Sequence, residues 1–240
     1  MSDIQDNWTR VCDRVAEAAQ RAGRQPDEIT IVAVCKTRPA EDIEAALAAG
    51  VTDLGENRVQ EATQKRPAIQ GGRWHLIGQF QRNKAGKAVE LFDCVQSVDS
   101  PRLAKALAQR AEGSDRTMDV LIQVNTSGVE HQAGAAPDEL PELADQILLS
   151  PWLRLGGLMT IASQADETEV KRCFQSLRSC RDDLAAQRRD LDLSTLSTET
   201  REFFGGRGKS GEILATAFRT ERFLGKFQGS GKIWGGLDHG

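Results

Sequence analysis

The sequence predicts an α/β fold, a (β/α)8 TIM-type barrel with an imperfect last unit, on three observations. Short runs of β-branched and small apolar residues alternate with amphipathic stretches along most of the 240 residues, the pattern of a parallel sheet with helical crossovers. Seven such runs occur, near enough to eight to favour a barrel over an open sheet. Polar residues gather where the runs end: Lys36 closes I-T-I-V-A-V-C, and the segments Asp53 to Glu61 and Arg73 to Lys84 carry Glu-Asn and His-Gly-Gln-Asn in the same manner. Parallel strands would bring these ends to one mouth.

The elements follow in order. Ile4, Trp8, Val11, Val15 and Ala19 have helical spacing, so Asp3 to Ala22 reads as a lead-in helix with Gly23 as its C-cap. Strands are expected at Ile29–Cys35, Val51–Gly55, Arg73–Gly78, Cys94–Val98, Met118–Asn125, Leu155–Ile161 and Leu191–Leu196. Helices are expected between them at Pro39–Ala49, Val59–Pro67, Asn83–Leu91, Ser100–Ala111, Pro137–Leu149 and Thr168–Arg188. Ser100 and Pro101 form an N-cap and N1 pair, and Asp138-Glu139 puts negative charge at another helix start.

Composition narrows the function. The net charge is −4 with both signs interspersed, so neither nucleic acid nor an anionic membrane is expected as a partner. Five cysteines, an odd number with no C-x-x-C, point to reduced thiols and a cytoplasmic location. The amino terminus is polar and no apolar run approaches membrane-spanning length, so neither export nor insertion is expected. His75, His131 and His239 lie far apart with no matching carboxylates, and no metal site is expected.

Lys36 carries the chemistry. A lysine just after a strand is ordinarily a solvated loop residue, but at the carboxyl end of a sheet its amine can be desolvated and kept partly neutral. A neutral amine is a nucleophile, and its natural partner is an aldehyde. Other positions admit two readings each. His75 alternates with the apolar Trp74 and Leu76 and is either a satisfied structural histidine or a cofactor contact. Asn57 and Arg58 either cap the helix that starts there or face a ligand. Met159, after Gly156-Gly157-Leu158, is either core packing or a ring contact, and the paired glycines suggest close backbone approach.

The segments V-A-V-C-K-T, G-E-N-R-V-Q-E, W-H-L-I-G-Q-F-Q-R-N-K, L-I-Q-V-N and L-R-L-G-G-L-M-T-I resemble, in order and spacing, the pyridoxal-phosphate homeostasis protein family from about Asp3 to Leu196. Members look like the barrel domain of alanine racemase standing alone and carry pyridoxal 5′-phosphate (PLP) on a lysine as an internal aldimine, with no established catalytic turnover. The resemblance implies a barrel of alanine racemase N-terminal type, PLP as cofactor on Lys36, and Asn57 and His75 as further cofactor-binding positions, with Met159 a cofactor-binding candidate from its own context. It also implies a role in PLP homeostasis, with PLP-dependent apo-enzymes as recipients. Asn83 and Lys84 match the family's segment after His75. Cys35 stands where the family has serine or a small residue, and the family's lysine before glycine is absent from E-H-Q-A-G, Glu130 to Gly134.

The carboxyl end departs from the family. Residues 1–197 read as the PLP-binding barrel, β/α units one to seven, and 198–240 as an atypical segment replacing the usual phosphate-binding end. From Thr198 onward there is no valine or proline, while five of the eight phenylalanines and ten of the 22 glycines fall there. A reading frame shifted near Leu196 would produce such an end; alternatively Gly205, Gly206, Gly208 and Ser210 form a new phosphate loop. G-G-R-G-K-S is no Walker A motif, because Phe203 stands where its first glycine is needed. Two other functions stand beside PLP storage: a racemase-like enzyme, which needs a second acid/base that no tyrosine here can supply, and a chain that has lost PLP binding.

Overall fold

The computed structural model describes residues 3–129, 132–162, 167–199 and 216–219. The chain opens with α1 (Asp3–Arg21), which buries Val11 and Ala19. Gly23, at φ +69°, ends it: the Gly23 and Arg24 N–H groups turn back onto the carbonyls of Gln20 and Ala19.

Seven strands follow, β1 (Ile29–Val34), β2 (Asp53–Glu56), β3 (Arg73–Leu76), β4 (Cys94–Val98), β5 (Met118–Gln123), β6 (Leu153–Ile161) and β7 (Thr195–Glu199). Each pairs in parallel with its sequence neighbour to form one curled sheet. Six helices make the crossovers: α2 (Ala40–Ala48), α3 (Val59–Lys65), α4 (Ala85–Leu91), α5 (Pro101–Gly113), α6 (Leu140–Leu148) and α7 (Glu167–Gln187). Most boundaries agree closely with the sequence pattern. β7 begins later than expected because the Asp192 carboxylate accepts the Ser194 N–H at 3.0 Å, a local turn that competes with the ladder. Ser100 occupies the N-cap position of α5 with Pro101 at N1, but its hydroxyl makes no capping bond; the carbonyl of Ser100 instead accepts the Leu103 and Ala104 N–H groups.

The alternation of strand side chains produces two cores. Ala33, Trp74, Leu76, Val95 and Ile122 face outward and pack with Phe92, Leu107, Leu143 and Ile147 from the surrounding layer. Val32, Val34, Ile77, Cys94, Leu121 and Met159 form a smaller cluster on the inner face. The paired glycines of β6 serve this geometry. Val120 pairs with Leu155 and Leu121 with Gly157, which leaves Gly156 as a bulge. Gly157, at φ +149°, passes so close to β7 that a Cβ would lie 1.8 Å from the Thr195 carbonyl oxygen.

The last strand departs from a complete (β/α)8 barrel. β8 (Thr216–Arg219) runs antiparallel to both β7 and β1, rather than as an eighth parallel strand. A parallel return requires a crossover, usually helical, and the sequence between Glu199 and Thr216 lacks the apolar period of such a helix. Gly205, Gly206, Gly208, Ser210, Glu130, His131 and His239 lie outside the described residues. Among those described, no helix is long and apolar enough to cross a membrane and no cluster could hold a metal ion.

Candidate functional site

Strand register brings the first site residues together. Val34 pairs with Gly55, Gly55 with His75, and His75 with Cys94, so these four share a row across β1 to β4. The ladder runs on past the strands, with the Cys35 N–H on the Gly55 carbonyl at 2.8 Å and the Ile77 N–H on the Glu56 carbonyl at 3.0 Å. Lys36 and Asn57 each lie two residues past this row, beyond the carboxyl ends of β1 and β2, while Ile77 and Met159 belong to the inner apolar cluster.

Lys36 is half-buried and lies in a turn whose next residue, Thr37, has φ +59°. The Thr37 N–H donates to Glu61 Oε2 at 2.8 Å. Lys65 Nζ donates to the Cys35 carbonyl at 2.7 Å, to Glu56 Oε1 at 2.6 Å and to Glu61 Oε2 at 3.1 Å. Burial raises the Glu56 carboxyl above its ordinary range, against the pull of Lys65. For Glu61, burial is outweighed by the Thr37 amide and by Lys65, and the carboxyl is held low. Burial would likewise lower the Lys65 ammonium, but Glu56 and Glu61 outweigh it and hold it high and charged. The Cys35 thiol, pushed up to about 12 by burial and then by Glu56, points its Sγ to the Gly55 carbonyl at 3.2 Å, a bond that a serine hydroxyl could also make.

Asn57 does not cap α3. The N-cap position belongs to Arg58, and no side chain caps that helix. Among the described residues no donor reaches the buried Asn57 Oδ1, nor the buried Gln123 Oε1 at the end of β5. An unmet buried acceptor costs about 1–3 kcal/mol, so such a group in a native protein calls for an explanation, and a ligand is one. Gly78 closes on the same turn: a Cβ there would stand 2.2 Å from the Asn57 carbonyl oxygen.

His75 is buried with both ring nitrogens engaged. Gln96 Nε2 lies 2.9 Å from Nδ1, and Asp53 Oδ1 lies 2.8 Å from Nε2. An amide nitrogen only donates, so Nδ1 accepts and Nε2 carries the hydrogen directed at Asp53. Ser197 Oγ donates to Gln96 Oε1 at 2.6 Å and Thr52 Oγ1 to Asp53 Oδ2 at 2.7 Å, completing a polar chain from β7 through β4 and β3 to β2. Burial pushes the Asp53 carboxyl up, but the hydrogen bonds of His75 and Thr52 and the charge of Arg73 outweigh it and hold the carboxyl low. The matched pair after His75 is peripheral: Asn83 is exposed and Lys84 half-buried in a 3-10 turn before α4. Sequence reasoning missed Glu56, Glu61 and Lys65 around Lys36, and Asp53, Gln96 and Ser197 around His75. The Glu61 to Lys65 spacing of four on a helix was the one available signal.

A pyridoxal phosphate homeostasis protein of Pseudomonas aeruginosa is 40% identical over 200 residues, 82% of this chain and 85% of the relative. This chain belongs to the pyridoxal phosphate homeostasis protein family. Residues 7–200 also match the family model of the alanine racemase N-terminal domain. Among solved structures, PipY of Synechococcus elongatus with PLP bound is 35% identical with a TM-score of 0.66, over 76% of this chain and 87% of PipY. Alanine racemase of Bacillus anthracis, 18% identical with a TM-score of 0.61 over 84% of this chain and 52% of that one, shares the fold.

Proposed function

We propose that this protein binds pyridoxal 5′-phosphate reversibly through Lys36 and buffers it in the cytosol for PLP-dependent apo-enzymes, without turnover of its own. The observation that carries this reading lies at the ends of β1 and β2. There Lys36 and Asn57 each stand two residues past the paired Val34 and Gly55, and the buried Asn57 amide oxygen has no donor among the described residues. The donor set suits the group: the Lys36 amine would hold it through its aldehyde carbon, and Asn57 Oδ1 would accept a hydrogen from it. His75 and Met159 line the inner side, His75 with its ring face because both nitrogens are already engaged. PLP supplies an electrophilic aldehyde and an electron-withdrawing ring when bound. PipY was solved with PLP, which supports the same ligand here.

The absence of tyrosine from the sequence supports storage over racemisation, since two-base racemisation needs a second acid/base opposite the lysine. Five cysteines, all free thiols, support a reducing compartment. We further propose that residues 1–197 supply seven of the eight units of an alanine racemase-type barrel and that 198–240 replace the usual phosphate-binding end. The match to the family model ends at residue 200, which supports this boundary.

Absorption titration with PLP tests the reading. The wild type is expected to develop a visible band that saturates near one equivalent, absent in Lys36→Ala, and borohydride is expected to trap the adduct on the Lys36 peptide. A folded wild-type protein without the band, or a band that persists in Lys36→Ala, overturns it.

A further inference from the structure

We infer that Glu61 and Lys65 of α3, backed by Glu56 of β2, are positioning residues that clamp the backbone on both sides of Lys36. Lys65 holds the carbonyl of residue 35 at 2.7 Å and Glu61 holds the amide of residue 37 at 2.8 Å, while the two side chains bond each other at 3.1 Å. Lys36 is the residue between the two anchored peptide groups. The inference rests on Lys36 being the PLP lysine, but the clamp itself is a property of the protein alone.

Three features separate a clamp from an ordinary ion pair. A β-branched residue at positive φ is a conformational outlier, and Thr37 at φ +59° follows the functional lysine directly. Such a conformation persists only where the surroundings over-determine it, and Glu61 is the side chain that takes the Thr37 amide. Next, Glu56 has a fully buried side chain and that of Lys65 is 13% exposed. Burying an ion pair is often no more stabilising than burying apolar residues of similar volume. An apolar pair, however, could neither donate to the Cys35 carbonyl nor accept from Thr37. Finally, the three ammonium hydrogens of Lys65 match three acceptors: Glu56, Glu61 and the Cys35 carbonyl. Glu56 orients Lys65, Lys65 orients Glu61, and together they fix the direction in which residue 36 leaves the backbone.

The test uses the full chain as Glu61→Ala, Lys65→Met, Glu61→Gln and the double variant Glu61→Ala with Thr37→Gly. Amide hydrogen exchange of the peptide spanning Thr37 is read without cofactor, the PLP dissociation constant by absorption, and the fold by thermal midpoint. Glu61→Ala and Lys65→Met are expected to speed exchange at Thr37 and to weaken PLP binding by about tenfold, the loss of one charge-assisted hydrogen bond. Glu61→Gln keeps an acceptor and falls between Glu61→Ala and wild type. Glycine adopts φ +59° without strain, so the double variant regains affinity over Glu61→Ala, a rescue that mere loss of packing would not permit. Wild-type exchange at Thr37 in folded Glu61→Ala and Lys65→Met, or loss of affinity that Thr37→Gly does not relieve, overturns the clamp. If the wild type binds no PLP, the proposed function falls, and the exchange measurement alone decides whether the backbone is clamped.

Discussion

His75 and Asp53 meet at 2.8 Å inside the sheet, where a histidine ring donates its hydrogen to a carboxylate instead of facing solvent. Asp53→Ala removes this acceptor and is expected to cost about 1–3 kcal/mol at pH 7, the penalty of an unmet buried donor. The pH dependence has a definite sign. The folded Asp53 carboxyl lies below its unfolded value, so its contribution is complete above roughly pH 4 and is lost as pH falls through the folded value. Urea midpoints of variant and wild type are therefore expected to differ most at neutral pH and to converge in acid. A gap independent of pH would show that the contact does not carry the stability.

Asn57→Ala separates binding from stability. Removal of a buried oxygen that has no donor is expected to leave the thermal midpoint of the cofactor-free protein unchanged or raised. The same change is expected to weaken PLP binding by about tenfold, the value of one lost hydrogen bond to a ligand. A fall in the midpoint would show that the oxygen is satisfied without cofactor.

Gly157→Ala and Gly23→Ala form a matched pair. Both glycines have positive φ, but a Cβ at Gly157 collides with the Thr195 carbonyl at 1.8 Å, whereas nothing lies within 4 Å of one at Gly23. Chemical denaturation is expected to show a loss of about 1–2 kcal/mol for Gly23→Ala, from backbone strain alone. For Gly157→Ala it is expected to show at least ~3 kcal/mol, because overpacking adds to that strain. Equal losses would mean that β6 can move away from β7.

The cysteines are expected to label in two classes. Burial pushes the Cys35 and Cys94 thiols up to about 12, and Cys173 and Cys180 are buried on α7, while Cys12 is only half-buried on α1. A thiol-specific chromophore at pH 8 is expected to report Cys12 first and the remaining four only on unfolding. Rapid labelling of Cys35 would show that the turn at Lys36 opens readily.

What could be read from the chain depended on whether partners share a local period. Cys94–Val98 was legible as β4 because a buried strand advertises itself in consecutive residues, and Gly156-Gly157 announced a close approach for the same reason. The end of β1 was legible because an apolar run stops at Lys36. The clamp around it was not, since Glu56 and Lys65 lie on a strand and a helix and meet only through tertiary packing. Nor were the partners of His75, because Asp53 and Gln96 come from the strands on either side of β3 and only register aligns them. β7 was misplaced by a side-chain turn at Asp192, and no sequence signal announced the antiparallel direction of β8.

The polar chain through the sheet also ties together residues made far apart in time. Ser197 donates to Gln96 across 101 positions of sequence, so the inner rung of β2, β3 and β4 waits for a hydroxyl that leaves the ribosome long after its partners. A nascent chain ending at β6 would hold Gln96 without that hydroxyl in a sheet still open at one side. The sequence change that begins at Thr198 falls immediately after the last residue this rung requires.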